Sequence, residues 1–218
     1  MDQNYTHITM VVDRSGSMTA IKDDAEGGVN QFIEDQAGAP GRCTLTLTEF
    51  DDKYEPVYKA VDPGIAVPNA YKLVPRGRTA MNDAIGKAIV ETGEYLKHKP
   101  EDERPGLVVF VIVTDGQENS SKEYTGEQIK QMIKKQEDEF SWNFTFLAAN
   151  IDAFAAGEGL GVGGARVMSF AAHNVGVAYA MAGSSVTRAR SATSRGLTAD
   201  QVQASMAYTD EEREKTNG

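Results

Sequence analysis

Two apolar runs, each ending in an aspartate, constrain this chain more than any other feature. Leu107 to Val113 (LVVFVIV) contains no polar residue and passes through Thr114 into Asp115. A strand covered on one face alternates apolar and polar side chains. An unbroken run is what a central parallel strand requires, because both of its faces are covered. His7 to Val12 (HITMVV) is a second, largely apolar run that stops at Asp13, where Arg14-Ser15-Gly16-Ser17 begins. Open parallel sheets take ligands outside the carboxyl ends of their strands, where loops from neighbouring strands converge. Both aspartates fall at that position.

Around these runs the pattern alternates strand and helix. Ile21, Ala25, Val29, Phe32 and Ile33 recur at helical spacing, which predicts a helix from Thr19 to Gln36 closed by Gly38 and Pro40. CTLTLTEF (43–50) alternates, Asp51-Asp52-Lys53 turns the chain, and YEPVYKAV (54–61) returns as a second extended run. Pro56 cannot donate to a ladder, so this hairpin lies at the sheet margin. Asp62 to Gly77 loses periodicity and reads as a crossing loop, after which Thr79 opens a helix striped by Met81, Ile85, Ala88, Ile89 and Leu96.

Beyond the central strand, Thr125 and Gln128 form a capping box for a helix carrying Ile129, Met132, Ile133 and Phe140. NFTFLAANID is a strand, Ala153 to Leu160 a helix, Arg166 to Phe170 a short last strand, and Asn174 to Ala192 a final helix. Such alternation specifies an open α/β sheet with mostly parallel strands, about six of them. Residues 1–192 make up this domain. Residues 193–218 hold few large apolar side chains and read as a polar, mobile tail in which Thr198 to Gln201 caps at most one short helix.

Bulk properties exclude several classes. A net charge of −10 and a pI near 4.8 oppose binding driven by phosphate neutralisation, so nucleic acid is not an expected partner. Cys43 is the only cysteine, so no intrachain disulfide can form, and its place in the apolar alternation makes it a small core residue. MDQNYTHITM has neither a basic start nor a long apolar stretch, and no segment approaches the roughly 18 apolar residues of a membrane span. A cytoplasmic protein without membrane contact is expected, and the triplets at Asn4, Asn119 and Asn143 that fit the glycosylation pattern then carry no meaning.

The carboxylates of Asp13 and Asp115 and the hydroxyls of Ser15, Ser17 and Thr79 all fall on one rim. An all-oxygen set without His or Cys favours Mg²⁺, Mn²⁺ or Ca²⁺ over zinc. With only two anionic groups among five ligands, such an ion retains Lewis acidity and a position open to an outside oxygen. A carboxylate on a partner protein is the natural sixth ligand.

These residues resemble a known family. Asp13-Arg14-Ser15-Gly16-Ser17 resembles the DxSxS motif of von Willebrand factor type A domains, Thr79 in GRTAMNDAI their single threonine, and Asp115 in TDGQEN their second aspartate. The three parts occur in the family's order, and the strand pattern agrees from Tyr5 to Ala192. The resemblance implies a Rossmann-like, twisted, mostly parallel sheet with one antiparallel edge strand and helices on both faces. It also implies a metal-ion-dependent adhesion site in which hydroxyls contact the ion directly and aspartates act largely through water. Within the family the chain looks most like compact, stand-alone domains of bacteria and phages. The family's usual glycine before the glycine-threonine step is replaced by Arg76 or Arg78.

Other readings stand beside this one. Ser15 and Ser17 could cap the first helix; Asp83 suits the helix dipole as well as it would support a metal. Glu118, Asn119, Asn150 and Asp152 lie on the rim, as partner contacts or as solvated loop. Gly159 to Gly164 formally matches GxGxxG, but a helix precedes it and a strand follows, the reverse of the dinucleotide arrangement. His7, His98 and His173 are scattered and read as structural, and the charge run Asp210 to Lys215 as solvated. The expected function is non-enzymatic, cation-dependent protein binding. The alternatives are a Mg²⁺-dependent phosphohydrolase of haloacid-dehalogenase-like type, in which Ser15 stands where a second acid belongs, and an accessory subunit beside an AAA-type ATPase or in a stress or phage-defence system. The chain has no P-loop of its own.

Overall fold

The computed structural model describes residues 1–66 and 70–217; residues 67–69 of the expected crossing loop and residue 218 of the expected tail lie outside the described residues. Strands β1 (Asp2–Asp13), β2 (Arg42–Phe50), β3 (Tyr54–Val61), β4 (Pro105–Thr114), β5 (Asn143–Ala148) and β6 (Val167–Ser169) form one sheet in the order β3-β2-β1-β4-β5-β6. Every pairing is parallel except β2 with β3. The expected α/β architecture is therefore present, with the antiparallel strand at the Pro56 edge.

Strand β4 shows why an unbroken run was needed. Val109, Val111 and Val113 enter the core on one face, and Val108, Phe110 and Ile112 enter the core on the other. The first core is closed by α1 (Lys22–Gly38) and α5 (Val175–Ser194), through Phe32, Ile33, Tyr179 and Val186. The second is closed by α2 (Met81–Lys97), α3 (Gly126–Phe140) and α4 (Ala153–Leu160), through Ile85, Ile89, Ile129, Ile133 and Leu160. Each such side chain contributes roughly 1.5–3 kcal/mol when removed from water.

Several boundaries differ from those read in the sequence. Gly16–Ile21 forms a 3₁₀ turn before α1 begins at Lys22, and α2 begins at Met81, which leaves Thr79 in the preceding loop. The predicted capping box of Thr125 and Gln128 is formed.

The segment after α5 is ordered on the domain. It carries α6 (Ala199–Ser205), capped by Thr198 and Gln201, and α7 (Asp210–Asn217), so two helices rather than one. Val202, Met206, Tyr208 and Thr216 are buried. Tyr208 bonds through its hydroxyl to Thr145 Oγ1 and through its amide to Ala165 O, and Arg213 donates to the carbonyls of Gly164, Ala165 and Val167. The run Asp210 to Lys215 is only partly solvated, because Glu212 pairs with Arg188 while Glu211 and Lys215 pair on the outer side. Among the described residues no helix is long and apolar enough to cross a membrane.

Candidate metal centre

The chain leaves β1 for β2 on one side and later returns to β4 on the other, so β1 and β4 are neighbours at the point where strand order reverses. Val12 pairs with Val113, which sets Asp13 and the Thr114-Asp115 step side by side at the carboxyl ends. Asp13 is fully buried. Its Oδ1 accepts from the Ser15 amide at 2.6 Å, and its Oδ2 accepts from Thr114 Oγ1 at 2.6 Å. Ser17 Oγ donates to Asp115 Oδ1 at 2.6 Å and lies 3.0 Å from Ser15 Oγ. A Cβ added at Gly116 would stand 3.5 Å from Ser17 Oγ and 3.7 Å from Thr79 Oγ1. Both hydroxyls thus border the same small space beside Asp115, and all five residues singled out in the sequence meet there.

Ser15 precedes the 3₁₀ turn but makes no side-chain cap bond to it; its hydroxyl faces Ser17. The helix-cap reading is therefore not realised at Ser15. Thr79 is held by Asn119, whose Oδ1 accepts from the Thr79 amide at 3.1 Å and whose own amide donates to Thr79 O. Glu118 accepts from the amides of Asn82, Ser120 and Ser121, tying the β4–α3 loop to the start of α2. Asp83 accepts from the amides of Lys122, Glu123 and Tyr124, so it shapes this same loop. Asp152 caps α4 by accepting from the Ala155 amide, and Asn150 has a left-handed backbone, φ +58°. His7 is buried among Thr9, Thr44 and Tyr95, a structural position.

Arg14 occupies the variable position of the loop motif and turns its guanidinium sideways. Its nitrogens lie 2.9 Å from Glu49, 3.0 Å from Asp51 and 2.8 Å from Glu55, while Arg76 meets Asp51 and Glu55 at 2.7 and 2.9 Å. The amide of Arg76 donates to Arg14 O, and that of Gly16 to Gly77 O. Gly77 has φ +71°, and a Cβ there would come within 2.8 Å of Asp52. The turn beside the site is therefore built with an arginine on each side of one obligatory glycine.

Burial pushes the Asp13 carboxyl up to about 6, aided by the charge of Asp115 and opposed by the bonds from Thr114 and Ser15. Burial also raises Asp115, against the bond from Ser17. Among the described residues no lysine or arginine pairs with either aspartate, and the nearest guanidinium in sequence, Arg14, is spent on other carboxylates. Two buried carboxylates lacking a cationic partner are unfavourable unless a positive charge is supplied. No group of three or more His, Cys, Asp or Glu side chains converges for a metal among the described residues. A cation here would draw its remaining ligands from the hydroxyls, and such an all-oxygen donor set fits a hard divalent ion.

No protein-family model matches the sequence, and no curated protein does. Solved structures do match. Proximal thread matrix protein 1 of the mussel byssus superposes with a TM-score of 0.60 at 14% identity, over 87% of this chain and 46% of that one. A von Willebrand factor type A protein from Catenulispora acidiphila gives 0.55 at 14% identity, over 87% and 42%. Manganese-loaded TRAP protein from Plasmodium vivax gives 0.51 at 15%, over 68% and 59%. A form of the mussel protein with a zinc-occupied MIDAS motif also matches, with a TM-score of 0.54 at 16% identity, over 77% of this chain and 41% of that one. The chain spans less than two thirds of the length of each. At these identities the likeness concerns the fold, and the fold of this chain is that of a von Willebrand factor type A domain.

Proposed function

We propose that this chain is a divalent-cation-dependent protein-binding module. Asp13, Ser15, Ser17, Thr79 and Asp115 would hold Mg²⁺, with Mn²⁺ or Ca²⁺ as substitutes, and a carboxylate of a partner protein would complete the site. The ion would supply an electrophilic position open to one further oxygen. The observation that carries this reading is the pair of buried aspartates, without a cationic partner among the described residues and bordered by three hydroxyls. Two of the structurally similar proteins, which carry zinc and manganese, support a divalent ion in this fold, and the oxygen-only donors here favour a harder one.

The chain's own residues have distinct tasks. Thr114 and the Ser15 amide orient Asp13, Asn119 fixes the backbone at Thr79, and the Arg14 cluster holds the loop from the side. The two serine hydroxyls engage one another and a carboxylate instead of a histidine or lysine base, which favours binding over turnover. A phosphohydrolase would need an acid where Ser15 stands.

Ser17→Ala and Thr79→Ala test the reading. Each should abolish capture of a partner that chelator releases from the wild type, while the thermal transition stays within about 3 °C, because neither hydroxyl packs in a core. Capture that survives both substitutions and chelation would refute it. ATP hydrolysis by the captured partner would identify the accessory-subunit form of this function.

A further inference from the structure

A pocket lies at the other end of the sheet. Between the C-terminal turns of α2 and α3 and the start of β4 it encloses about 520 Å³, within the range that small-molecule sites occupy. Pro105 and Gly106 line it at the amino end of β4, whereas the metal centre lies past Thr114 at the carboxyl end. Its floor is apolar, made by Leu96, Val108 and Trp142, which are 8%, 5% and 6% exposed. Phe140 stands half exposed at the rim, its ring 6.5 Å from that of Trp142.

The charged lining runs against the rest of the molecule. In a chain of net charge −10, this pocket is bordered by Lys97, Arg104 and Lys135 and by one carboxylate, Glu94. Lys97 and Glu94 are 3.4 Å apart, and Arg104 donates to the carbonyls of Lys97 and Lys99. Lys135 makes no ion pair among the described residues. Cationic side chains around a low-dielectric floor concentrate potential for an anion.

Gly93 borders the same pocket. It lies inside α2, where glycine is about 1 kcal/mol less favourable than alanine. A Cβ there would meet nothing within 4 Å, so close packing does not account for it. It lines the pocket without adding a side chain to it.

We propose that this pocket binds a small amphipathic carboxylate, its apolar body on Leu96, Val108 and Trp142 and its head among Lys97, Arg104 and Lys135. Trp142 is the only tryptophan, so its emission reports occupancy directly. Decanoate, titrated below its micelle concentration, should give a saturable change. Lys135→Glu should weaken it about fivefold or more, added salt should weaken it as well, and Gly93→Leu should block it with the cooperative thermal transition retained. Gly93→Ala should leave binding in place and raise stability. Asp13→Asn should leave binding unchanged, which separates this site from the metal centre. An equal response to decylammonium, no effect of Lys135→Glu, or no saturable response to decanoate would overturn the proposal. A response only to an acidic amphipathic peptide would also overturn it and assign the pocket to a protein partner.

Discussion

Replacing Asp13 by asparagine should stabilise the metal-free protein at neutral pH, although it alters one of the proposed ligands. The Asp13 carboxyl titrates near 6 in the folded chain and near an ordinary value of about 3.9 in the unfolded one. A folded value raised above the unfolded value means that the native state holds the proton more tightly. The associated stability is complete below about pH 4 and is lost as pH rises through 6, a loss of about 3 kcal/mol by pH 7.5. Asparagine carries no charge and escapes this loss. The surroundings can accept it, because Thr114 Oγ1 also lies 3.1 Å from Gly116 O and can donate there while accepting from an amide at position 13. His7, held down at about 3 by burial, acts with the opposite sign, since its contribution fades as pH falls below about 6.5; being common to both proteins, it cancels in the comparison. Urea unfolding of both proteins in chelator at several pH values between 4 and 8 gives the difference directly. The variant should gain on the wild type by about 2.4 kcal/mol across that range. A difference that does not vary with pH, or a variant less stable at pH 7.5, would refute the reasoning.

Other expectations follow from single features. Ala60 sits in edge strand β3 with φ +49°, so Ala60→Gly should stabilise by about 0.5–1 kcal/mol by urea unfolding. Arg190 is buried and donates to Gln36, Ala39, Pro40 and Gly41 at the end of α1; Arg190→Leu strands these carbonyls and should lower stability by about 2–4 kcal/mol. Deleting residues 198–218 uncovers Thr145 and the β6 edge, so it should lower the thermal midpoint by several degrees, whereas an independent tail would leave it unchanged.

Much of the architecture was legible because it depends on local patterns. An unbroken apolar run implies a strand covered on both faces, an aspartate at its end implies a rim position, and Pro56 implies an edge. Asp13, Ser15 and Ser17 were legible because they share one loop, whereas Thr79 and Asp115 were joined to them by their rim positions and by the motif order of the family the chain resembles. What could not be read depends on partners distant in the chain. Arg14 finds Glu49, Asp51 and Glu55 about 35 to 41 residues away, and Asn119 finds Thr79 40 residues away; no periodicity announces either. The terminal segment misled for a related reason. Val202, Met206 and Tyr208 are too sparse to signal a core, yet each is buried against a domain that only the tertiary structure supplies.

The central claim is that Asp13, Ser15, Ser17, Thr79 and Asp115 hold a divalent cation, and calorimetric titration with Mg²⁺ and Mn²⁺ tests it most directly. Wild type should bind one ion per chain and Asp13→Ala should bind none at the same concentrations. No binding by the wild type, or equal binding by the variant, would contradict the account.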